Sequence, residues 1–329
     1  MSEDIRALLA MAAPTGVDVH QENNYAELLQ PKLNKVFYET YDEVAPQFNK
    51  IYDVKSSKKN KEYDFYMGAM SNWSKFGTGS SSIYGGVGTE AMPSINYQTV
   101  PKGSEIVYTH EEFADGFAIE RKFIDDEQYG VIEKMTKDLA RAGRSKVEMD
   151  SAGFMEAHLK GELTGYDGVP LFGTHTALNN TYTYNNKITD PLSPEALKKA
   201  IGMMRRVKDE AGKTILFTPD TLIVSPELEF TAKEILNSTQ LAGGELNNIN
   251  SLRNSVKPLV WDYLTDDKTW FLVDSKRSEL IFYWRVKPEF EKEKDFDTKV
   301  HKWSGYMRYS YGYSSVRGII GSTGAGAGA

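Results

Sequence analysis

Three observations predict an α+β fold. Ile132, Met135, Leu139 and Ala142 follow 3, 4, 3 spacing, the stripe of an amphipathic helix, inside a helical stretch over residues 126–160. Short alternating or β-rich segments flank that stretch on both sides. Between two of these segments, within residues 61–120, lie about 35 residues with neither helical period nor sustained alternation. The length of 329 residues allows two or three domains of ordinary size.

Residues 1–60 are weakly patterned. Leu8, Leu9 and Met11 make a short apolar stretch that breaks at Pro14-Thr15-Gly16. Tyr25, Leu28, Leu29, Leu33 and Phe37 suit one amphipathic helix, interrupted or restarted at Pro31. This is a helical lead-in, too small to hold a core of its own. Tyr63, Phe65 and Met67 then alternate with polar residues as in a half-buried strand. Ile106 and Tyr108 alternate again, and Phe113 to Ile119 continues as strand. The segment between carries glycines at 77, 79, 85, 86 and 88, yet Trp73, Phe76, Ile83, Tyr84, Met92, Ile95 and Tyr97 are all large. Compact domains rarely hold so long a structureless loop unless it is functional or disordered. Apolar groups on an arm without a core need another surface, and a neighbouring subunit is the natural candidate.

The helix over 126–160 opens on Asp125-Asp126-Glu127, negative charge where the helix dipole favours it. Gly143 and Gly153 weaken it by about 1 kcal/mol each relative to Ala. Residues 161–190 are rich in turn formers. Ser193-Pro194-Glu195 then supplies an N-cap, a proline suited to the first helical position and a first-turn acid. Leu197, Ile201, Met204 and Val207 form that helix's apolar stripe, and Gly212 is expected to end it. Thr221 to Val224 is a short buried strand that runs into a second such start at Ser225-Pro226-Glu227. After a Gly/Asn-rich loop over 238–255, strands are expected at 256–264, 269–273, 279–286 and 303–313. Lys287 to Lys294 reads as an exposed charged face, and Gly321 to Ala329 as a low-complexity tail.

Composition removes several function classes. With no cysteine there is no disulfide framework, thiol nucleophile or cysteine metal site. The net charge of -7 and a sequence pI near 5.4 argue against a dedicated nucleic-acid binder. A hydrophobic content of 40% with mean hydropathy -0.48 indicates a soluble globular chain. No apolar run approaches the roughly 20 residues that cross a bilayer, and the start lacks a secretory signal.

The chemical candidates are weak. Gly212-Lys213-Thr214 resembles the end of a phosphate loop, but position 207 is Val where that motif needs glycine. The loop glycines do not spell the dinucleotide fingerprint. His20, His110, His158, His175 and His301 form no short metal spacing, and no serine sits in a nucleophile elbow. Asp266-Asp267 and Asp295/Asp297 read as solvated turns. The late aromatics, among them Trp261, Trp270, Trp284, Trp303 and Tyr309, are expected to fill a sheet core and subunit contacts. No catalytic residue, cofactor or metal ligand is assigned.

The order and spacing of several stretches resemble the major capsid (head) proteins of tailed bacteriophages, particularly the Mu-like major head subunit family. The stretches are Asp125-Asp126-Glu-Gln-Tyr-Gly130 before the long helix, Asp167-Gly168-Val-Pro-Leu171-Phe172-Gly-Thr-His175, Ser193 to Gly212, Pro219 to Ser238, Trp270-Phe-Leu, and Arg308-Tyr-Ser-Tyr-Gly312. They cover about residues 120–320. The resemblance implies the Hong Kong 97-type fold. Residues 1–59 would be an N-terminal arm, and 60–110 the extended hairpin called the E-loop. Residues 111–190 would be the P domain, with its spine helix at about 126–160 carrying Ile132, Met135 and Leu139. Residues 191–300 would be the A domain, 301–320 a return strand to the P domain, and 321–329 the Gly/Ala tail.

The implied function is self-assembly, as hexamers and pentamers, into a closed icosahedral shell around double-stranded DNA bound without sequence specificity. The implied place is the phage head, with assembly in the host cytoplasm. Separate scaffold, portal and decoration proteins would be partners, and no membrane would be involved. Inter-subunit contacts are expected from Leu28, Leu29, Leu33 and Phe37 of the arm and from Trp73, Phe76, Ile83, Tyr84, Met92, Ile95 and Tyr97 of the E-loop. Only about 60 residues precede the E-loop, so no large cleaved segment is expected, and Lys75 has no identified cross-linking partner. An encapsulin-type nanocompartment shell shares the implied fold. A soluble α+β enzyme with a Gly-rich substrate loop would need a catalytic cluster that the sequence does not present.

Overall fold

The computed structural model describes residues 24–68, 70, 72, 100, 102–126, 129–178, 182–239, 249–295 and 297–326, and the side chains of 24–28, 125 and 129 are not among them. In chain order, α1 (Asn24–Tyr41) precedes β1 (Asp53–Ser56), β2 (Lys61–Met67), β3 (Lys102–Thr109) and β4 (Glu111–Glu120). A short α2 (Arg121–Asp125) leads to α3 (Tyr129–Lys160), then β5 (Thr174–Thr176), β6 (Thr183–Asn185) and β7 (Lys187–Ile188). Next come α4 (Pro194–Arg205), β8 (Thr221–Val224), α5 (Glu229–Asn237) and β9 (Lys257–Val260). The chain closes with β10 (Trp270–Val273), β11 (Leu280–Lys294), β12 (Val300–Tyr313) and β13 (Ile319–Ser322).

These elements form two compact units. The first takes residues 1–46, 110–148 and 284–309, and the second takes 47–109, 149–283 and 310–329. In the first, β12 pairs antiparallel with β4 from Val300↔Glu120 to Tyr309↔Glu111. Gly116 is required there, because a Cβ would lie 2.4 Å from the Trp303 carbonyl oxygen. Onto this pair pack α1, α2 and the first part of α3, through Leu33, Phe37, Tyr41, Ile119, Ile124, Ile132, Phe290 and Trp303. Phe37 stacks on Phe290 at 4.8 Å, and Trp303 Nε1 donates to Gln30 Oε1 at 3.1 Å.

This core corrects two expectations. The helix α1 is continuous through Pro31. A mid-helix proline costs about 3 kcal/mol. Burying Leu33, Phe37 and Tyr41 at 2%, 3% and 7% exposure outweighs that, at about 1.5–3 kcal/mol for each large apolar side chain. Leu33 and Phe37, expected at a subunit contact, therefore belong to the chain's own core, with Leu29 packed against it. Leu28's side chain lies outside the described residues.

The helix α3 is unbroken over 32 residues, about 48 Å. Its buried line in the first unit is Ile132, Thr136, Ala140, Arg144 and Glu148, while Met135 and Ala142 are exposed and Leu139 is half-buried. The predicted stripe is thus rotated. Polar residues share that buried face: Thr136 Oγ1 donates to the Ile132 carbonyl at 2.9 Å, and Arg144 lies 3.7 Å from Glu148. Among the described residues the first turn of α3 holds no acidic residue.

The second unit holds a five-stranded sheet in the order β7-β13-β10-β8-β9. Strand β10 is antiparallel to both neighbours, while β13–β7 and β8–β9 are parallel. All four residues of β10 and of β13 are buried. The tail expected from 321 onward is therefore part of a central strand at Gly321 and Ser322. Ser193 caps α4 as the sequence predicts, accepting from Ala196 N at 3.1 Å. Gly212 does not end that helix, which stops at Arg205. It sits at φ +78° in a turn that bridges Lys208 to Thr214. Trp261, Trp270 and Phe271 are fully buried, the core role expected of the late aromatics.

Candidate functional site at the hairpin root

Strands β2 and β3 pair antiparallel from Lys61↔Thr109 to Met67↔Lys102, with an irregularity between Phe65 and Met67. The sequence predicts Tyr63, Phe65 and Met67 as the buried side of a half-buried strand. The structure inverts this. Tyr63 is 56% exposed, Phe65 38% and Met67 62%, and Val107, opposite Tyr63, is 46% exposed. The Lys102 ammonium lies 3.7 Å over the Phe65 ring. The other face of β2 carries Glu62, Asp64 and Tyr66, beside Ile106 and Tyr108 of β3.

The polar face is turned inward because each group finds a partner there. Asp64 Oδ2 accepts from Ser314 Oγ at 2.5 Å, and Ser314 Oγ lies 3.0 Å from the Tyr108 hydroxyl. Tyr66 donates to Glu210 Oε1 at 2.5 Å, and Arg317 reaches both Tyr66 and Glu210. Glu210 Oε2 accepts from Leu178 N at 2.6 Å. Burial works against the Glu210 carboxylate. The hydrogen bonds from Tyr66 and Arg317 and the guanidinium charge nevertheless hold its pKa below the ordinary value. Burial pushes the Tyr66 phenol up. The Glu210–Arg317 pair is 2% and 11% exposed, so losing one partner strands the other. Asp64, Glu279, Lys55 and Arg317 border a cleft of about 1240 Å³, in which burial, then Asp64, raises the Glu279 carboxyl.

The segment Asp167 to His175 is strapped by side chains. His175 Nδ1 is 2.6 Å from Asp167 Oδ2, and its Nε2 is 3.2 Å from the Leu171 carbonyl oxygen. Asn186 Nδ2 also donates to that oxygen, at 2.8 Å, while His158 Nδ1 accepts from Leu171 N at 3.1 Å. Burial lowers His158 to about 4, which keeps its acceptor nitrogen unprotonated. Gly168, at φ +79°, makes the turn possible. This arrangement sinks Leu171 and Phe172 into the core at 0% and 1% exposure. His158 and His175 thus hold backbone. Among the described residues no group of three His, Asp or Glu side chains could hold a metal ion.

The structure does not gather the predicted contact residues into one site. Trp73, Phe76, Ile83, Tyr84, Met92, Ile95 and Tyr97 lie outside the described residues. Ile132 is buried within the subunit, and Met135 is free on its surface at 38% exposure. Sequence reasoning missed the outward face of the hairpin. It also missed the Tyr66–Glu210–Arg317 cluster, whose members are too far apart in sequence to leave a local signal.

Comparison with known proteins supplies a context. A family model described as phage capsid protein matches residues 103–320, about two thirds of the chain. Three solved structures share the fold. The mature capsid of bacteriophage PhiM1 is 12% identical with a TM-score of 0.50, over 83% of this chain and 84% of that one. The capsid of cyanophage P-SCSP1u is 12% identical with a TM-score of 0.50, over 84% and 86%. A virus-like particle from Pyrococcus furiosus is 9% identical with a TM-score of 0.51, over 88% and 97%. No curated protein matches the sequence.

Proposed function

This chain belongs to the phage capsid protein family, and from that premise we propose how it builds its shell. It is a capsid subunit of Hong Kong 97-type α+β fold, and its place is the phage head. Copies assemble as hexamers and pentamers into a closed icosahedral particle around double-stranded DNA. The observation that carries the assembly reading is the hairpin root. It keeps its polar groups paired inside the subunit and turns Tyr63, Phe65, Met67 and Val107 to solvent. An apolar face on a folded, anchored element fits burial against another copy. A standard stable interface buries about 1,600 Å², and an arm overlapping its neighbour exceeds that.

The remaining parts follow the family arrangement. Residues 60–110 are the E-loop, with its apolar tip from Trp73 to Tyr97 on a neighbour, α3 is the spine of the P domain, and 191–300 form the A domain. The Mu-like subfamily is the branch that the sequence stretches favour. The work is done by burial, with no reaction. A net charge of -7 suits a wall that encloses DNA without gripping its phosphates. Scaffold, portal and decoration proteins are the accessory partners. A second reading, a nanocompartment shell enclosing protein cargo, is favoured by the fold shared with the Pyrococcus furiosus particle.

Negative-stain microscopy and sedimentation of the expressed chain test this. Rings or shells are expected, and a stable monomer at micromolar concentration overturns the reading. Nuclease-protected DNA in particles from infected cells separates the phage head from a cargo compartment.

A further inference from the structure

One helix of this acidic chain presents a basic face. Ala196, Leu197, Ala200 and Met204 fill the buried side of α4. Opposite them stand Lys198, Lys199, Arg205 and Arg206, all exposed, with Arg206 just past the last helical residue. The four lie three and four residues to either side of Gly202, so on a helix they surround it. The subunit's own packing does not call for that glycine. A Cβ added at Gly202 would meet nothing within 4 Å, and its φ is not positive. A glycine inside a helix is less stable than alanine would be. Its effect here is a flat floor between four cations.

These cations are mostly uncommitted. Lys199 lies 2.6 Å from Asp190, but among the described residues Lys198, Arg205 and Arg206 have no carboxylate partner. The cations of α1 and α3 behave otherwise: Lys35 pairs with Glu39, Lys137 with Glu133 and Arg141 with Glu43. The helix dipole accounts for Arg205 and Arg206 at the C-terminal end, but it gives nothing to Lys198 in the second turn. From Lys198 to Arg206 the face runs about 12 Å. Duplex DNA carries one charge per about 1.7 Å of axis, so this length can meet two or three phosphates. The face carries no apolar side chain of the kind that fills the core of a protein contact. A phosphate backbone needs only charge and close approach.

We propose that this face of α4 is where each copy touches the phosphate backbone of duplex DNA inside the shell. The inference rests on the capsid reading above and names the surface that meets the enclosed DNA. The contact reads no sequence. Two or three salt-labile contacts per copy hold the DNA loosely, while the rest of the acidic wall repels it.

Anisotropy of a short labelled duplex, titrated with dissociated subunits, tests this. At a slope of about -0.9 per phosphate, three contacts predict that affinity falls about fortyfold between roughly 50 and 200 mM salt. Lys198→Gln, Arg205→Gln and Arg206→Gln together should weaken low-salt binding at least tenfold and nearly abolish that salt dependence. The control Lys58→Gln, Lys134→Gln and Arg253→Gln removes the same charge from exposed positions elsewhere and should stay within about threefold of the unmodified chain. Gly202→Leu changes no charge. It should melt no lower than the unmodified chain and bind the duplex at least fivefold more weakly. Equal losses in the two triple variants, unchanged binding by Gly202→Leu, or no duplex binding by the unmodified chain overturns the assignment and leaves the capsid reading standing. Poly-glutamate that competes as well as duplex at equal charge marks a site for acidic protein and overturns it too. So does a basic-face variant that binds the duplex normally but no longer forms shells, because the face is then a contact between copies. Failure of the unmodified chain to form shells overturns the capsid reading and this assignment with it.

Discussion

At the scale of single residues, stability is concentrated where charge is buried. Arg317→Met leaves Glu210 buried without its cation, and loss of one partner of such a pair costs about 3–5 kcal/mol. The urea midpoint of dissociated subunits should fall accordingly, and the double variant Arg317→Met with Glu210→Met should recover much of it. His158 adds a pH dependence. The unfolded chain takes up this proton near 6.5 and the folded chain only at about 4. Its contribution is therefore complete above 6.5 and lost as pH falls toward 4, on the order of 3 kcal/mol in all. Glu210, with its lowered carboxyl, acts in the same direction. His158→Gln should flatten the stability profile between those two values. None of this cluster was legible in the sequence, because Tyr66, Glu210 and Arg317 meet only after folding. The Ser193 cap was legible, because its partner is three residues away.

At the scale of elements, local chemistry places boundaries well and faces poorly. Ser225-Pro226-Glu227 repeats the signature that starts α4, yet it opens a 3-10 turn before α5. Its serine donates instead to the Asp267 carbonyl at 3.0 Å. The period of β2 was read correctly and its sides were exchanged. Alternation fixes which residues share a face, and only the pairing of Asp64 and Tyr66 decides which face turns inward. Tyr63→Ser with Phe65→Ser should cost the subunit only about 1–2 kcal/mol, from two exposed positions and the Lys102 contact on Phe65. The same variant should sharply reduce particle yield by sedimentation. Unchanged yield would mean that the outward face has no role in assembly.

At the scale of the whole molecule, a chain without cysteine must hold its particle by non-covalent burial unless an isopeptide forms. Particles boiled in detergent should run as one band at 37.0 kDa, with or without reductant. A ladder in unmodified particles would reveal isopeptide bonds. The acidic charge first argues against nucleic acid as a bound partner and then fits DNA enclosed without tight contact. The helix α1, whose Leu33 and Phe37 are expected at a subunit contact, contributes both to the core of the first unit.

The sequence by itself determined the α+β class, the long central helix, the capped start of α4, most of the late strands and the family resemblance. All of these rest on near-neighbour spacing or on motif order. Tertiary structure alone decided that β2 turns its polar side inward and that α1 is core. It also decided that Gly321 and Ser322 lie in a central strand. The physical reason is common to these cases. Whether a side chain is buried depends on partners tens to hundreds of residues away, and a buried polar face is stable only once those partners are in place.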